Sequence, residues 1–102
     1  MRLVDLEPMW TETGPENTID PNRTGIGVVF NCPCGCKSYI GVMFSNPLDG
    51  KQAFPDNRVK WKREGESFED LTLTPSIRLL SGCKWHGFVT KGELITCGDS
   101  GK

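Results

Sequence analysis

Five cysteines and one histidine are the residues of this chain with the clearest capacity for chemistry. They form three clusters: a CPCGC turn with Cys32, Cys34 and Cys36, a C-x-x-H pair of Cys83 and His86, and the separate Cys97. Thiolate and imidazole are the usual ligands of structural zinc, which takes four of them from two separated segments. The spacing therefore predicts a zinc site built from the turn and the C-x-x-H pair.

The choice of ligands within that site stays open, because the candidates outnumber the four positions of a tetrahedral ion. Cys83 and His86 would fill two positions, so the turn has to supply the other two. We prefer Cys32 and Cys36 as a wide bite around the turn, with Cys34 as the substitute for either. In an alternative set, Cys97 displaces His86.

Disulfide bonds are the competing use for these cysteines, although an odd number would leave one thiol unpaired. Disulfides persist in oxidising compartments. The start of the chain carries Arg2, Asp5 and Glu7 where a secretory signal needs an apolar stretch. We therefore expect a cytoplasmic protein with free, metal-binding thiols, in the host cytoplasm if a phage encodes it.

Size and composition favour a small domain that uses a metal for stability. The chain has 102 residues, 36% of them hydrophobic, with 12 glycines and 7 prolines. A domain of this length buries a limited core, and a metal that joins distant segments adds folding free energy. The net charge of −1 excludes a surface that is basic throughout, as a general nucleic-acid binder would need.

Positive charge is nevertheless concentrated in one segment, between residues 51 and 63. The basic residues there are Lys51, Arg58, Lys60, Lys62 and Arg63, against Asp56 alone. Such a run is usually a solvated strand face, and a tryptophan inside it usually belongs to the core. The alternative is a nucleic-acid contact made by Lys60, Trp61, Lys62 and Arg63.

The patterning predicts a mostly β fold, in which a small, single-domain antiparallel sheet with little helix is stabilised by zinc. Strand patterns cover residues 25–30, 38–44, 59–63 and 72–74, and Lys91-Gly92 predicts a two-residue hairpin between 87–90 and 93–97. The first strand pair would hold the CPCGC turn at a hairpin tip, as in zinc ribbons. We assign 1–24 to an irregular arm, 25–97 to the zinc-stabilised domain and 98–102 to a frayed tail.

Catalytic interpretations of the sequence are weaker. Ser76 could be a nucleophile, but it would need a general base, and the only histidine is assigned to the metal. A metal-dependent hydrolase would need an open zinc position and a carboxylate base, for which Glu93 and Asp99 are the nearest candidates. The H-x-E and C-x-x-C signature of zinc deaminases is absent. We therefore predict no catalytic residues and no membrane-spanning segment.

Three motifs resemble a family of small, uncharacterised bacterial and bacteriophage proteins. They are FNCPCGC at 30–36, TLTPSI at 72–77 and GCKWHGFVTKGEL at 82–94, which appear in that order. The resemblance implies zinc binding by Cys83 and His86 with thiolates of the turn, and a shared loop at Thr72, Pro75 and Ser76. Larger relatives occur beside ubiquitin-like conjugation genes. Some relatives carry an ammonia monooxygenase label, which does not suit a chain without spanning helices.

The sequence as a whole favours an accessory protein with a structural zinc ion, acting by binding another macromolecule. A closed site of four Cys and His ligands leaves no position for a substrate, which favours a structural role over a catalytic one. The expected partner is a protein. Nucleic acid is the alternative partner, and a metal-dependent hydrolase is the least favoured function.

Overall fold

The protein is described here by a computed structural model, which covers residues 1–11, 25–53, 59–79 and 82–101. A 3₁₀ turn at Leu3–Leu6 is followed by seven strands that form one sheet in sequence order. The strands are β1 (Met9–Thr11), β2 (Gly27–Asn31), β3 (Tyr39–Phe44), β4 (Lys60–Glu64), β5 (Thr72–Arg78), β6 (His86–Thr90) and β7 (Glu93–Thr96). The described residues contain no α-helix, so the predicted small, mostly β single domain is confirmed.

One strand pair departs from the expected antiparallel pattern. β3 and β4 are parallel, with Met43 opposite Lys60 and Phe44 opposite Trp61, whereas the other neighbouring strands are antiparallel. The Asn46 side chain extends this short junction, because it accepts a hydrogen bond from the Arg63 amide and donates one to the Arg63 carbonyl, each at 2.8 Å. The chain between β3 and β4 therefore crosses back rather than forming a hairpin.

The first residues of the chain close the sheet instead of forming an irregular arm. Arg2 makes a β-bridge with Glu93, and the Leu94 amide donates to the Met1 carbonyl at 2.8 Å. The chain then reaches β1, which pairs with β2 at the opposite edge. Residues 1–11 thus connect both edges of a curled sheet, and the rest of the predicted arm, 12–24, lies outside the described residues.

The core lies inside the curl and follows the alternation of the strands. Its largest fully buried side chains are Trp85, Phe30, Phe44, Leu3, Ile26, Ile40 and Leu71. The indole nitrogen of Trp85 keeps a polar partner, because it donates to Thr96 Oγ1 at 3.1 Å. Alternate residues of a strand point to opposite faces, so buried positions on β6 leave His86 and Phe88 on the outer face.

Two local predictions near β5 and β6 had different outcomes. The Lys91-Gly92 hairpin is confirmed, and both residues have positive φ, 48° and 75°, as a tight primed turn requires. The strand predicted at 72–74 instead continues to Arg78, so Pro75 and Ser76, expected in a loop, belong to β5. Between the pairs Leu73–Val89 and Ile77–Gly87, β5 advances four residues while β6 advances two. The extra residues form a bulge that contains Pro75 and Ser76.

Within the part of the chain described, no helix has the length and apolar character needed to cross a bilayer.

We predict that Gly87→Ala destabilises the fold, whereas Gly41→Ala does not. A Cβ at Gly87 would clash with Cζ2 of the buried Trp85 and with the carbonyl oxygen of Ile95, while a Cβ at Gly41 would meet no heavy atom within 4 Å. Both glycines lie within strands. Overpacking predicts a loss of about 1–3 kcal/mol in the free energy of unfolding for Gly87→Ala. Urea denaturation of both variants measures it, and equal midpoints would contradict the packing described here.

Candidate active site and metal centre

The cysteines of the CPCGC turn are held at the tip of the β2–β3 hairpin, as the sequence predicted. The Cys32 amide donates to the Ser38 carbonyl at 2.9 Å, and the Gly35 amide donates to the Cys32 carbonyl at 3.2 Å. Gly35 has a φ of 83°, which a residue without a Cβ adopts readily. The turn therefore directs several side chains toward one point.

Four sulfur atoms meet at that point. Cys32, Cys34, Cys36 and Cys83 each place Sγ within 4.8 Å of the other three. Cys32 Sγ lies 3.2 Å from Cys34 Sγ and 3.4 Å from Cys83 Sγ, although Cys32 and Cys83 are 51 residues apart. A tetrahedral ion with bonds of about 2.3 Å would set its sulfur ligands about 3.7 Å apart. All five cysteines are free thiols, so the cluster can hold one metal ion and contains no disulfide.

The thiols of the cluster differ in acidity. Cys36 is exposed, and hydrogen bonds from the Ser38 side chain and then from Cys34 lower its pKa to about 6. Burial is the main cause of the raised pKa of Cys32, which is 3% exposed. A cation among the four sulfurs would favour the thiolate form of each of them. Because burial opposes its ionisation, the Cys32 thiol depends most on that cation to become a thiolate.

His86 is not part of this group, which changes the expected ligand set. It begins β6, whereas Cys83 lies in the preceding loop, where Lys84 has a φ of 54°. This turn separates the two members of the C-x-x-H pair, so they do not converge on one ion. The imidazole instead belongs to a second group of potential ligands, with Cys97 and Asp99.

The two ring nitrogens of His86 face a hydroxyl and a carboxylate. Nε2 lies 3.2 Å from Ser76 Oγ, and Nδ1 lies 2.7 Å from Asp99 Oδ1. An ionised carboxylate can only accept a hydrogen bond, so the ring proton belongs on Nδ1 and the lone pair of Nε2 faces the serine hydroxyl. A hydroxyl beside a base that a third group orients is the arrangement of an activated serine nucleophile.

Arg78 holds the other side of the carboxylate. Its Nη2 donates to Asp99 Oδ2 at 2.7 Å, so each carboxylate oxygen has one partner. The hydrogen bond from His86 is the main cause of the lowered pKa of Asp99, and the positive charge of Arg78 adds to it. Since the folded pKa is lowered, the contact stabilises the fold above the ordinary pKa of an aspartate and is lost as the pH falls through the lowered value.

The pairing of β5 with β6 brings the side chains of Ser76, Arg78 and His86 together. Ser76 and Arg78 are two residues apart on β5, and Arg78 lies directly opposite His86 on β6. The β5 bulge shifts Ser76 relative to the ladder, and the Trp61 indole donates to the Ser76 carbonyl at 3.2 Å. Ser76 is therefore held from the β4 side while its hydroxyl faces His86.

The tail that carries Asp99 is attached to β6, although the sequence predicted a frayed end. The Cys97 amide donates to the His86 carbonyl, and the Gly101 amide donates to the Lys84 carbonyl, each at 2.8 Å. Ser100 Oγ accepts a hydrogen bond from the His86 amide at 3.0 Å. Residues 97–101 thus form a turn that encloses the start of β6, and this turn positions Asp99.

The predicted basic contact segment has partners within the fold. Trp61 bonds to β5, and the Arg63 guanidinium donates to the carbonyls of Asn46 and Gly65. Lys62 pairs with Glu64 at 4.0 Å on the exposed face. Arg58 lies outside the described residues, and nucleic-acid binding by Lys60, Trp61, Lys62 and Arg63 stays a prediction.

Comparison with protein families matches residues 6–97 to the BubE family, described as a bacterial ubiquitination-like system serine protease. The match spans the strands, the cysteine cluster, Ser76 and His86. The chain belongs to the BubE family. No curated protein and no solved structure matches it. The BubE description agrees in chemical class with the group of Ser76, His86 and Asp99.

The sequence points to all three of these residues but does not join them. Its patterns assign His86 to the metal, which leaves Ser76 without a base, and they offer Asp99 only as a base for a zinc-bound water. Arg78 and Ser100 were missed, since an arginine on a strand and a serine near a chain end carry no motif. The available signal was the TLTPSI segment, which the metal site did not explain.

We predict that Cys83→Ser removes a tightly bound metal ion, whereas Cys97→Ser does not. Cys83 belongs to the four-sulfur group and Cys97 does not. Each substitution removes one thiol, so the two variants differ in whether that thiol is part of the cluster. After extensive dialysis, elemental analysis should find about one zinc per wild-type and Cys97→Ser chain and much less in Cys83→Ser. Chelation should also lower the thermal midpoint of the wild type. Equal metal content in the two variants would exclude the proposed ligands.

Proposed function

We propose that this BubE protein is a serine hydrolase that cleaves an amide bond in a protein of a bacterial ubiquitination-like system. The observation that carries the proposal is the pair of contacts made by one imidazole, 3.2 Å to the Ser76 hydroxyl and 2.7 Å to the Asp99 carboxylate. The family description supports the same chemistry from a separate source. The protein partner expected from the sequence is, in this proposal, a substrate.

Each group has a defined role in the reaction. Ser76 Oγ attacks the carbonyl carbon of the substrate while His86 Nε2 takes the hydroxyl proton. His86 then gives that proton to the leaving amine, and the acyl group stays on Ser76 as an ester. Water, deprotonated by the same nitrogen, attacks this ester and releases a carboxylic acid, while the proton returns from His86 to Ser76 Oγ. Asp99 holds the Nδ1 proton and stabilises the imidazolium that forms between these steps.

The centre lies at the surface, where a protein substrate can reach it. The side chain of His86 is 18% exposed and that of Asp99 is 49% exposed. Phe88 follows two residues after His86 on the same face of β6, and Ile95 lies directly opposite Phe88 on β7. Both apolar side chains are exposed, at 41% and 51%. We assign them to contact with an apolar side chain of the substrate near the scissile bond.

The four-cysteine cluster is, in this proposal, a structural zinc site. Four sulfur donors around one point suit zinc, and with all four bound no position remains for substrate or water. The ion would supply a cross-link between the β2–β3 turn and the loop that leads into His86. Free thiols and a bound metal ion would be stable in a reducing compartment, which supports the proposal of a cytoplasmic location.

Fluorophosphonate labelling tests the nucleophile directly, because these probes react with a serine that a neighbouring base activates. We expect the wild-type protein to acquire one covalent adduct on Ser76 and Ser76→Ala to acquire none. Ser45→Ala is the matched control, since Ser45 is exposed and bonds to Trp61, away from His86. Intact-protein and peptide mass spectrometry locate the adduct. Unchanged labelling of Ser76→Ala would refute the assignment.

Substitutions at Asp99 and at its partner Arg78 give a second test, in which the labelling rate should fall by different amounts. We expect Asp99→Asn to slow labelling by roughly 10³- to 10⁴-fold, because an amide no longer fixes the imidazole proton on Nδ1. Arg78→Ala should slow it less, since the contact between Asp99 and His86 remains. Asp5→Asn on the opposite end of the chain is the control and should label at the wild-type rate. A rate for Asp99→Asn within about threefold of wild type would remove Asp99 from the mechanism.

A further inference from the structure

Cys97 lies beside the proposed catalytic centre without a part in its chemistry. Its amide is hydrogen-bonded to the His86 carbonyl at 2.8 Å, which continues the β6–β7 ladder by one pair. Side chains of directly opposed residues lie on the same face of a sheet. Cys97 Sγ, a ring nitrogen of His86 and a carboxylate oxygen of Asp99 accordingly lie within 4.8 Å of one another.

These three groups are a ligand set for a thiophilic divalent cation. Thiolate, imidazole and carboxylate are the three ligand types that zinc takes from proteins, at bond lengths of about 2.0–2.3 Å. Cys97 is half-buried and Asp99 is half-exposed, so an ion can enter from solvent.

Occupation of this group is incompatible with the proposed catalysis. A ring nitrogen of His86 that binds the ion gives up its lone pair, and the ring rotates away from Ser76 or from Asp99. A carboxylate that ligates the ion no longer orients the imidazole. We propose that His86, Cys97 and Asp99 form an inhibitory site for Zn²⁺ or a similar cation, which reversibly switches off the centre. This inference rests on the proposed function for its inhibitory effect, but not for the binding itself.

The second site should be weaker than the four-cysteine cluster. It offers three protein ligands with one sulfur, against four sulfurs, and the positive charge of Arg78 at 2.7 Å from Asp99 opposes a further cation. The first ion would therefore stay in the cluster through dialysis, while the second would bind only when free zinc rises. This difference allows one site to be studied with the other filled.

The test uses the full chain with its tightly bound metal, in buffers of fixed free Zn²⁺. We expect fluorophosphonate labelling of the wild type to fall as free zinc rises and to recover on mild chelation. Cys97→Ala should label at the wild-type rate without added zinc and should need about tenfold or more free zinc for the same inhibition. Equal inhibition of the wild type and Cys97→Ala would overturn the proposal.

Binding is measured separately, with Co²⁺ as an absorbing probe and with Ser76→Ala, which has no nucleophile. Wild type and Ser76→Ala should both take up a second ion with a sulfur-to-cobalt absorption band. Cys97→Ala should bind this ion more weakly and should lack the added band. A second ion without any labelling of the wild type would support this metal site while the proposed function fails. Absence of a second ion from Ser76→Ala and wild type would overturn the inference and leave the serine hydrolase proposal intact.

Discussion

The orientation of one imidazole is the constraint on which the rest of the site depends. His86 is fixed at both nitrogens, and its backbone is fixed as well, because Ser100 accepts from its amide and Cys97 donates to its carbonyl. All of these partners except Ser76 come from the last turn of the chain. The short segment after β7 therefore sets the orientation of the imidazole, whereas the β6 strand alone sets only the position of the His86 backbone.

The sheet has two parts, and the cysteine cluster is one of the places where they meet. Strands β1–β3 carry the CPCGC turn, while β5–β7 carry Ser76 and His86. Between them lie the short parallel pairing of β3 with β4 and the bridge from Arg2 to Glu93. Cys83 contributes a sulfur to the group at the β2–β3 turn from the loop just before Trp85 and His86. A metal ion there would tie the loop leading into His86 to the other half of the sheet.

Sequence patterns predicted the strands better than the site. Alternation and turn residues located the β2–β3 pair and the Lys91-Gly92 hairpin, because these depend on neighbours in the chain. The parallel β3–β4 pair and the closure by Arg2 could not be read in the same way, because both pair segments distant in sequence. The C-x-x-H spacing predicted one shared ion, whereas Cys83 and His86 lie in two different groups of potential ligands, because Cys83 is in the loop and β6 begins at His86. Because the chain has one histidine, assigning it to the metal left no base for Ser76.

In the proposed mechanism, Ser76 is a nucleophile that a strand presents without a helix or a sharp loop. A regular ladder would hold the backbone of this residue between β4 and β6 and fix its side chain to one face. The bulge gives β5 two more residues than β6 over the same interval, and Pro75, which has no amide hydrogen, occupies part of it without leaving a donor unpaired. The Trp61 indole binds the Ser76 carbonyl that the bulge displaces. Because β5 is back in register at Ile77, Arg78 lies opposite His86 and donates to the Asp99 carboxylate. One irregular strand therefore carries both the hydroxyl that faces His86 and the arginine that holds Asp99.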